Sequence, residues 1–301
     1  MNPSIPRTIR EYLDQLRDEL HGADPAMVQD ALYDAEDYLR SELAANPGKS
    51  EAEVIAAVAG SYGAPDEVAD IYRDTEVKVQ TALRPPAPMP RTSPLGRFFG
   101  VLVDPHTYGA VFYMLLSLAT GIFYFTWVTT GASLSIGLAI LIIGIPFFIL
   151  FVGATRVLAL VEGRIVEVML GERMPRRPLY SDTSLPLLQR IGAMFTDPRT
   201  WTTMLYFLLM LVLGTVYFTI VVTGIATSLA LIATPIAAAL GFDGMVMLDG
   251  YDLWAMAPVW QWVLAVIAGV LLLFITLHVC RLIGRMHGKL AKAMLVSNRA
   301  Y

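Results

Sequence analysis

Cysteine, charged residues and histidine are scarce in this sequence of 301 residues, and each shortage excludes a class of chemistry. A single cysteine, Cys280, excludes an intrachain disulfide and any metal or redox motif built from several cysteines. Charged residues make up only 16% of the chain and apolar residues 55%, which is unlike an ordinary soluble domain. The histidines lie far apart, so we expect neither an enzyme nor a bound cofactor or metal. They are His21, His106, His278 and His287.

Long apolar runs are present instead, and one of them occurs twice. Residues 104–131 and 197–224 align without a gap. Each copy carries an apolar stretch of about 20 residues, which is long enough to cross the core of a bilayer as a helix. The identical positions include Asp104/Asp197, Pro105/Pro198, Tyr113/Tyr206, Gly121/Gly214, Tyr124/Tyr217 and Gly131/Gly224.

A second pair of similar blocks follows further along the chain. Residues 156–170 match residues 281–295 at their first arginine, at a central glycine and at the closing Met-Leu. The offset between the blocks differs from that of the first pair, so the second copy contains an insertion. We therefore predict a duplicated membrane module, with repeat 1 at about 104–171 and repeat 2 at about 197–296.

The first part of the chain has a different character. Residues 1–92 contain about two acidic residues for each basic one, whereas the rest is modestly basic. Helical spacing of apolar residues predicts four short amphipathic helices in residues 1–82, which we call the head. Predicted N-terminal caps are Asp24 with Pro25 and the capping box of Ser50 and Glu53. We expect the third helix to end at Gly63, and the fourth to bury Val68, Ile71 and Tyr72.

The order of these helices resembles the small helical HAAS-type domain. YLDQL, a long Asp- and Tyr-rich helix, SEAEVIAAV and GAPDEVAD carry the resemblance over residues 5–75. In that group the domain is found at the cytoplasmic N-terminus of bacterial membrane proteins and is associated with signalling, often beside PadR-type regulators. Because the bundle is too small to contain a catalytic cleft, we expect a binding role for the head. The alternative is an acidic bundle that only keeps the chain soluble.

Residues 83–96 are rich in proline and predict an extended linker that does not fix the orientation of the head. After it we expect spans at about 108–130 and 134–155, with the turn at Gly131. The motifs Asp104-Pro105 and Asp197-Pro198 are predicted to start the two entering helices, with the aspartate as N-cap and the proline at the first helical position.

The distribution of basic residues predicts the topology. Residues 156–200 are rich in arginine, so we place them in the cytoplasm, and we place the acidic loop 241–257 outside. A Pro235-interrupted re-entrant segment at 225–240, followed by a span at 259–280, satisfies this rule; a full span at 225–240 is the alternative. Four full spans and cytoplasmic termini follow, in the bacterial inner membrane. A basic stripe that should rest on anionic lipid comprises Arg281, Arg285, Lys289 and Lys292.

This layout resembles the bacterial sensor-domain family, whose membrane modules precede cytoplasmic histidine kinases. The paired motifs DPHTY and DPRTW, the segments FYFTWVTTG and YFTIVVTG, IGIPFF, TPIAAAL and the closing RLIGRMHGKLAKAML carry the resemblance over residues 97–297. It implies a membrane module that receives a signal. The sequence contains no phosphoacceptor histidine block and no glycine-rich nucleotide loop, so we expect no kinase output from this chain.

Two sets of residues are candidates for receiving or transmitting a signal. Carboxylates of the acidic loop could bind a cation or a cationic ligand, although acidic residues in a loop are more often ordinary solvated surface. Prolines in the membrane module are candidate hinges or static kinks. The loop residues are Asp243, Asp249, Asp252 and Trp254, and the prolines are Pro146 and Pro235.

Taken together, the sequence predicts an all-α, non-catalytic membrane protein that couples a sensor module to a cytoplasmic regulator through the head. The expected partners are membrane lipids and a regulatory protein, either a PadR-type regulator or a kinase. Direct binding of nucleic acid is not expected, because the acidic head would repel phosphates. A homo-oligomer is compatible with the sequence. A transport-associated or lipid-binding component is the alternative function, and an intramembrane enzyme ranks third.

Overall fold

The computed structural model describes residues 6–83, 93–141, 143–177, 189, 192, 196–242, 244, 246–248 and 251–296. Within these ranges the regular secondary structure is helical apart from one very short β-hairpin, so the predicted helical class is confirmed. The chain forms two compact units. The first comprises Met1–Pro85, Val128–Tyr206 and Gly288–Tyr301, and the second comprises Pro86–Trp127 and Phe207–His287.

The head contains four helices, and the remainder of the chain contains the long ones. The head helices are α1 (Ile9–Glu19), α2 (Pro25–Ala45), α3 (Glu51–Ala59) and α4 (Pro65–Leu83). The later elements are α5 (Pro94–Phe99), a 3₁₀ turn (Gly100–Val103), α6 (Pro105–Leu138), α7 (Gly144–Leu170), α8 (Pro198–Ala239), β1 (Met247–Leu248), β2 (Tyr251–Asp252), α9 (Leu253–Met256) and α10 (Val259–Leu295). The two strands pair antiparallel, with Met247 opposite Asp252.

Local caps determine where the head helices begin. The Asp24 carboxylate accepts a hydrogen bond from the Ala26 N–H at 2.9 Å, and Pro25 occupies the first helical position, as predicted. The predicted capping box is also present, because the Ser50 side chain and the Glu53 side chain each accept from the other's backbone N–H. However, α3 ends at Ala59, earlier than expected.

The head encloses its own apolar core. Tyr12 belongs to this core, and its hydroxyl donates a hydrogen bond to the Gly63 carbonyl at 2.8 Å. The predicted apolar stripe of α4 is partly wrong, since Val68 is 3% exposed but Ile71 is 59% exposed. The buried core residues are Ile9, Tyr12, Leu16, Leu20, Met27, Ala31, Ala35, Leu39, Val54, Ile55, Val58, Val68 and Ala69.

Replacing Ser50 with alanine should destabilise α3, because the Glu53 N–H loses the hydroxyl oxygen that accepts from it. Loss of such a cap should increase the open population of the helix about fivefold. Hydrogen–deuterium exchange of the α3 amides measures this population directly. Ser50→Asp should restore protection because aspartate also caps well, and equal exchange in the alanine variant and the wild type would contradict the role of the cap.

Four helices in the described part of the chain are long and apolar enough to cross a membrane, which agrees with the predicted number of spans. They are α6, α7, α8 and α10, with 34, 27, 42 and 37 residues. The predicted turn at Gly131 is wrong, because α6 continues to Leu138. Gly131 instead gives room to the Phe151 ring, which a Cβ at this position would overlap. Likewise, α7 continues through Arg156 to Leu170, beyond the predicted end of the second span at about residue 155.

A separate re-entrant segment at 225–240 is not confirmed. Residues 225–239 are the last part of α8, which is continuous from Pro198 and carries Pro235 in its interior. A proline removes one backbone hydrogen bond from a helix, and in an apolar segment the remaining bonds still favour continuation. Pro146, the third residue of α7, lies in the first turn, where its missing N–H costs nothing, so it begins a helix rather than interrupting one.

Small residues allow α6 and α8 to cross closely in the second unit. A Cβ at Gly121 would overlap the carbonyl of Met210, and a Cβ at Gly214 would overlap the carbonyl of Ser117. Gly121 aligns with Gly214 in the two similar sequence blocks, and Ser117 aligns with Met210 in the same register. The two contacts are therefore equivalent, and backbone approach through small residues is the usual way in which membrane helices pack.

Candidate head-docking site

Residues 171–177, which we call the docking segment, follow α7 in the sequence and contact the head within the first unit. Gly171 ends α7 in a left-handed conformation, with φ of 72°, which glycine adopts without strain. The following residues are not helical, and Arg173, Met174 and Pro175 are buried. The docking segment therefore leaves the membrane helix sharply and packs into the protein.

Arg173 is the centre of the site. Its guanidinium lies 2.9 Å from Asp30 Oδ2 and 3.2 Å from Glu76 Oε2, both of which belong to the head. It also lies 3.5 Å from Glu167 Oε1, near the end of α7. All four side chains are less than 10% exposed. One buried guanidinium thus joins two head carboxylates to one carboxylate of the membrane module.

Asp30 binds the backbone of the docking segment as well. Its Oδ1 atom accepts hydrogen bonds from the N–H groups of Arg176 and Arg177, at 2.6 and 2.8 Å. Burial nevertheless raises the pKa of Asp30 above its ordinary value, because loss of hydration outweighs these N–H donors and the Arg173 guanidinium. The desolvation cost means that such a cluster fixes one position of the head more than it adds stability.

Arg177 extends the contact across α2. Its guanidinium lies 2.9 Å from Asp34 and 5.8 Å from the centre of the Tyr33 ring, close enough for a cation–π contact. Its carbonyl accepts a hydrogen bond from Gln29 at 2.7 Å. Asp34 also accepts from the Tyr72 hydroxyl at 2.8 Å, and burial together with this bond raises the pKa of Tyr72.

The end of α10 provides a second point of attachment for the head. The Lys292 ammonium lies 2.6 Å from Asp24, the cap of α2, and 2.9 Å from Glu172. Arg199, at the start of α8, donates to Gln29 at 2.8 Å. Three membrane helices therefore reach the head within the first unit through charged or polar side chains.

The predicted basic stripe of α10 does not act as a uniform lipid-facing surface. Lys292 pairs with the head and Arg281 pairs with Asp104 at 2.5 Å, whereas Arg285 and Lys289 are exposed. Their neighbours Leu282 and Met286 are also exposed, at 57% and 64%. Only this middle part of the stripe has the mixed apolar and basic surface that an inner leaflet would favour.

The two Asp-Pro motifs have a further role besides starting α6 and α8. Asp104 accepts from the His106 N–H at 3.1 Å, and Asp197 accepts from the Arg199 N–H at 3.0 Å, as caps do. In the second unit Asp104 also pairs with Arg281, and in the first unit Asp197 pairs with Arg156 at 3.1 Å. The sequence analysis missed these partners, although their arginines are aligned in the second pair of similar blocks.

Two buried polar pairs also occupy aligned positions. In the first unit the Tyr206 hydroxyl donates to Glu162 at 2.9 Å, and in the second unit the Tyr113 hydroxyl lies 2.6 Å from His287 Nε2. Tyr217 lies 3.2 Å from the other ring nitrogen of His287. Tyr113 aligns with Tyr206, and His287 aligns with Glu162. Aligned positions thus hold a carboxylate in the first similar block and an imidazole in the second. These buried pairs were not predicted from the sequence.

The predicted ligand-binding loop is described only in part. Asp252 accepts hydrogen bonds from the backbone N–H groups of Gly244 and Trp254, at 2.5 and 2.9 Å, so its carboxylate holds the loop together. Asp243 and Asp249 lie outside the described residues. Within the described part of the chain, no group of three His, Cys, Asp or Glu side chains could hold a metal ion.

Comparison with known families gives a match that extends across the four long helices. A family model described as "Sensor: Putative sensor" matches residues 113–295, which is more than half of the chain and includes the docking segment. No curated protein and no solved structure matches the chain significantly. The matched range begins within α6 and ends at the last residue of α10. The chain is therefore a membrane protein that belongs to the Sensor family.

Proposed function

We propose that this protein is a non-catalytic signal transducer of the bacterial inner membrane, in which the head passes the state of the membrane module to a cytoplasmic regulatory protein. The observation that carries the proposal is the attachment of the head to the membrane helices through Arg173 and Lys292. Each contact joins a carboxylate of the head to a cation that follows or ends a membrane helix. A movement of either helix would therefore act on the head directly.

Buried ion pairs suit this role because their energy depends steeply on geometry. Arg173 satisfies Asp30 and Glu76 only while its guanidinium stays within about 3 Å of both. Helix shifts of 1–2 Å are common in signalling proteins and would break such an arrangement rather than deform it. The head would then be either docked or released, which gives two states for a partner to distinguish.

The head is proposed to be a HAAS-type domain, and its partner a PadR-type regulator or a kinase. The domain order and the acidic surface support this assignment, since an acidic surface favours a basic protein partner. The same charge disfavours direct binding of nucleic acid. Membrane lipids are a second partner, supported by the exposed pair Arg285 and Lys289.

Crosslinking in living cells followed by mass spectrometry tests the output role of the head. The intact protein should capture a cytoplasmic regulatory protein that a variant lacking residues 1–82 does not capture. Capture should weaken as salt rises in lysates, because exposed charges are screened within about 8 Å at physiological ionic strength. Recovery of the same cytoplasmic proteins by both forms would overturn the proposal and favour the transport-associated or lipid-binding alternative.

The proposed topology places both termini in the cytoplasm and the β-hairpin outside. Cysteines introduced as Met247→Cys and Lys289→Cys, each in a Cys280→Ala background, should respond oppositely to a membrane-impermeant maleimide on intact cells. We expect labelling at position 247 and none at position 289. Both native side chains are exposed, so accessibility within the protein does not limit the reaction. Labelling only at position 289 would reverse the topology.

A further inference from the structure

We infer that the head carries a groove for a non-helical, arginine-rich peptide segment, that the docking segment fills this groove within the chain, and that a partner protein with a similar segment displaces it. The inference rests on the proposed function and names the surface through which the head would act. The groove lies between α2 and α4, and its central residues are Asp30 and Glu76.

The docking segment is held as a bound peptide would be. Two of its backbone N–H groups donate to Asp30, and one of its carbonyls accepts from Gln29. Two of its arginine side chains reach head carboxylates, with Arg173 between Asp30 and Glu76, and Arg177 at Asp34. Backbone bonds give affinity for the main chain of the peptide, and the arginine contacts select its sequence. None of these contacts requires the peptide to belong to the same chain.

A cavity beside the docking segment indicates a binding groove rather than a fully packed interface. A cavity of about 330 Å³ lies next to Arg173, between α2 and α4. Its walls combine carboxylates with apolar side chains, which suits an arginine, because that residue has an apolar stem and a charged end. Head residues that line this space include Met27, Asp34, Tyr72, Thr75, Glu76 and Val79.

The attachment of Arg173 to α7 explains how the membrane module would control access. Glu167 belongs to α7 and contacts both Arg173 and Arg176, at 3.5 and 3.8 Å. A shift of α7 would therefore draw the arginines out of the groove with it. While the segment stays in place, a partner competes with a tethered peptide whose effective concentration is in the millimolar range for a short link. A partner of ordinary affinity would bind only after release.

A labelled peptide tests this directly on the full chain in lipid nanodiscs. The probe is a fluorescein-labelled peptide of sequence GERMPRR, identical to residues 171–177. A variant with Arg173→Ala and Arg177→Ala should bind it at least tenfold more tightly than the wild type, as measured by fluorescence anisotropy. Adding Asp30→Asn to this variant should abolish the gain, whereas Asp66→Asn, which removes the same charge from an exposed site, should not.

Equal binding to the wild type and the double-alanine variant would overturn the inference, as would equal effects of Asp30→Asn and Asp66→Asn. A GERMPRR peptide with its first arginine replaced by alanine should lose binding, and retention would also count against the groove. Crosslinking in cells separates this inference from the proposed function. If Asp30→Asn leaves capture of a head-dependent partner unchanged, the proposed function stands and the groove is not its surface. If the peptide binds as expected but no head-dependent partner is captured, the groove stands and the proposed function fails.

Discussion

Replacing Arg173 with alanine should release the head from the membrane helices while the head itself stays folded. The substitution leaves Asp30, Glu76 and Glu167 buried without their shared cation, and breaking a buried pair in this way costs about 3–5 kcal/mol. A cost of that size would shift the docking equilibrium by about 10²- to 10⁴-fold. Spin labels on α2 and α7 should then report a broad distance distribution by double electron–electron resonance in place of a narrow one.

The matched control is Arg40→Ala. This substitution removes an arginine that forms a partly exposed ion pair with Glu36, one turn away on α2. Pairs of this kind contribute little, so docking should not change measurably. Arg173→Lys should give an intermediate result, because lysine keeps the charge but cannot bridge several carboxylates with a planar fork. A narrow distance distribution in the Arg173→Ala variant would show that the buried cluster does not hold the head.

The head core is self-contained, so the two states should differ in docking rather than in folding. Its buried residues come from all four head helices and include none from the docking segment. Hydrogen–deuterium exchange should therefore remain slow in the core of α1 and α3 after Arg173→Ala. Faster exchange is expected only where the docking segment covers α2 and α4.

Local chemistry made the head and the number of spans predictable from the sequence. Caps such as Asp24 and Ser50 act within three residues, and a span needs only a sufficiently long apolar run. The same local rules failed at Gly131 and at residues 225–239. In an apolar environment backbone groups remain bonded within the helix, so glycine and proline end a helix less often than they do in water.

Partners distant in sequence were not predictable by those rules. From the sequence, Arg173 belongs to an arginine-rich cytoplasmic connection and Lys292 to a basic stripe expected to rest on lipid, and neither pattern indicates a contact with the head. Asp30 lies 143 residues from Arg173, and no pattern within one helix indicates which carboxylate an arginine will meet. The equivalent pairs of Asp104 with Arg281 and Asp197 with Arg156 were more accessible, because both members of each pair are aligned in the two similar halves.

The aligned buried pairs also show where the halves differ. Glu162 and His287 meet tyrosines at equivalent positions, but an ionised carboxylate only accepts hydrogen bonds, whereas a neutral imidazole both donates and accepts. His287 accordingly contacts two tyrosine hydroxyls through its two ring nitrogens. The two similar sequence blocks therefore share the position of a buried polar contact but differ in its chemistry.

Alanine at Gly121 or at Gly214 should strongly destabilise the membrane module, because each Cβ would overlap a backbone carbonyl of the facing helix. Overpacking in a well-packed interior typically costs about 1–3 kcal/mol, and backbone obstacles cannot move aside as side chains can. We expect a clear fall in the thermal unfolding midpoint, measured by fluorescence-detected size-exclusion chromatography after heating. The double variant should lose less than the two single losses added together, since both glycines serve one helix crossing and one separation of the helices relieves both overlaps.

Gly153→Ala is the matched control, because it lies in another long helix and its Cβ would have no neighbour within 4 Å. This variant should be as stable as the wild type or slightly more stable, since alanine favours a helix over glycine by about 1 kcal/mol. Equal midpoints for Gly121→Ala, Gly214→Ala and Gly153→Ala would mean that α6 and α8 do not cross closely. A loss confined to the first two would instead show that close backbone contact, rather than glycine content as such, holds these two membrane helices together.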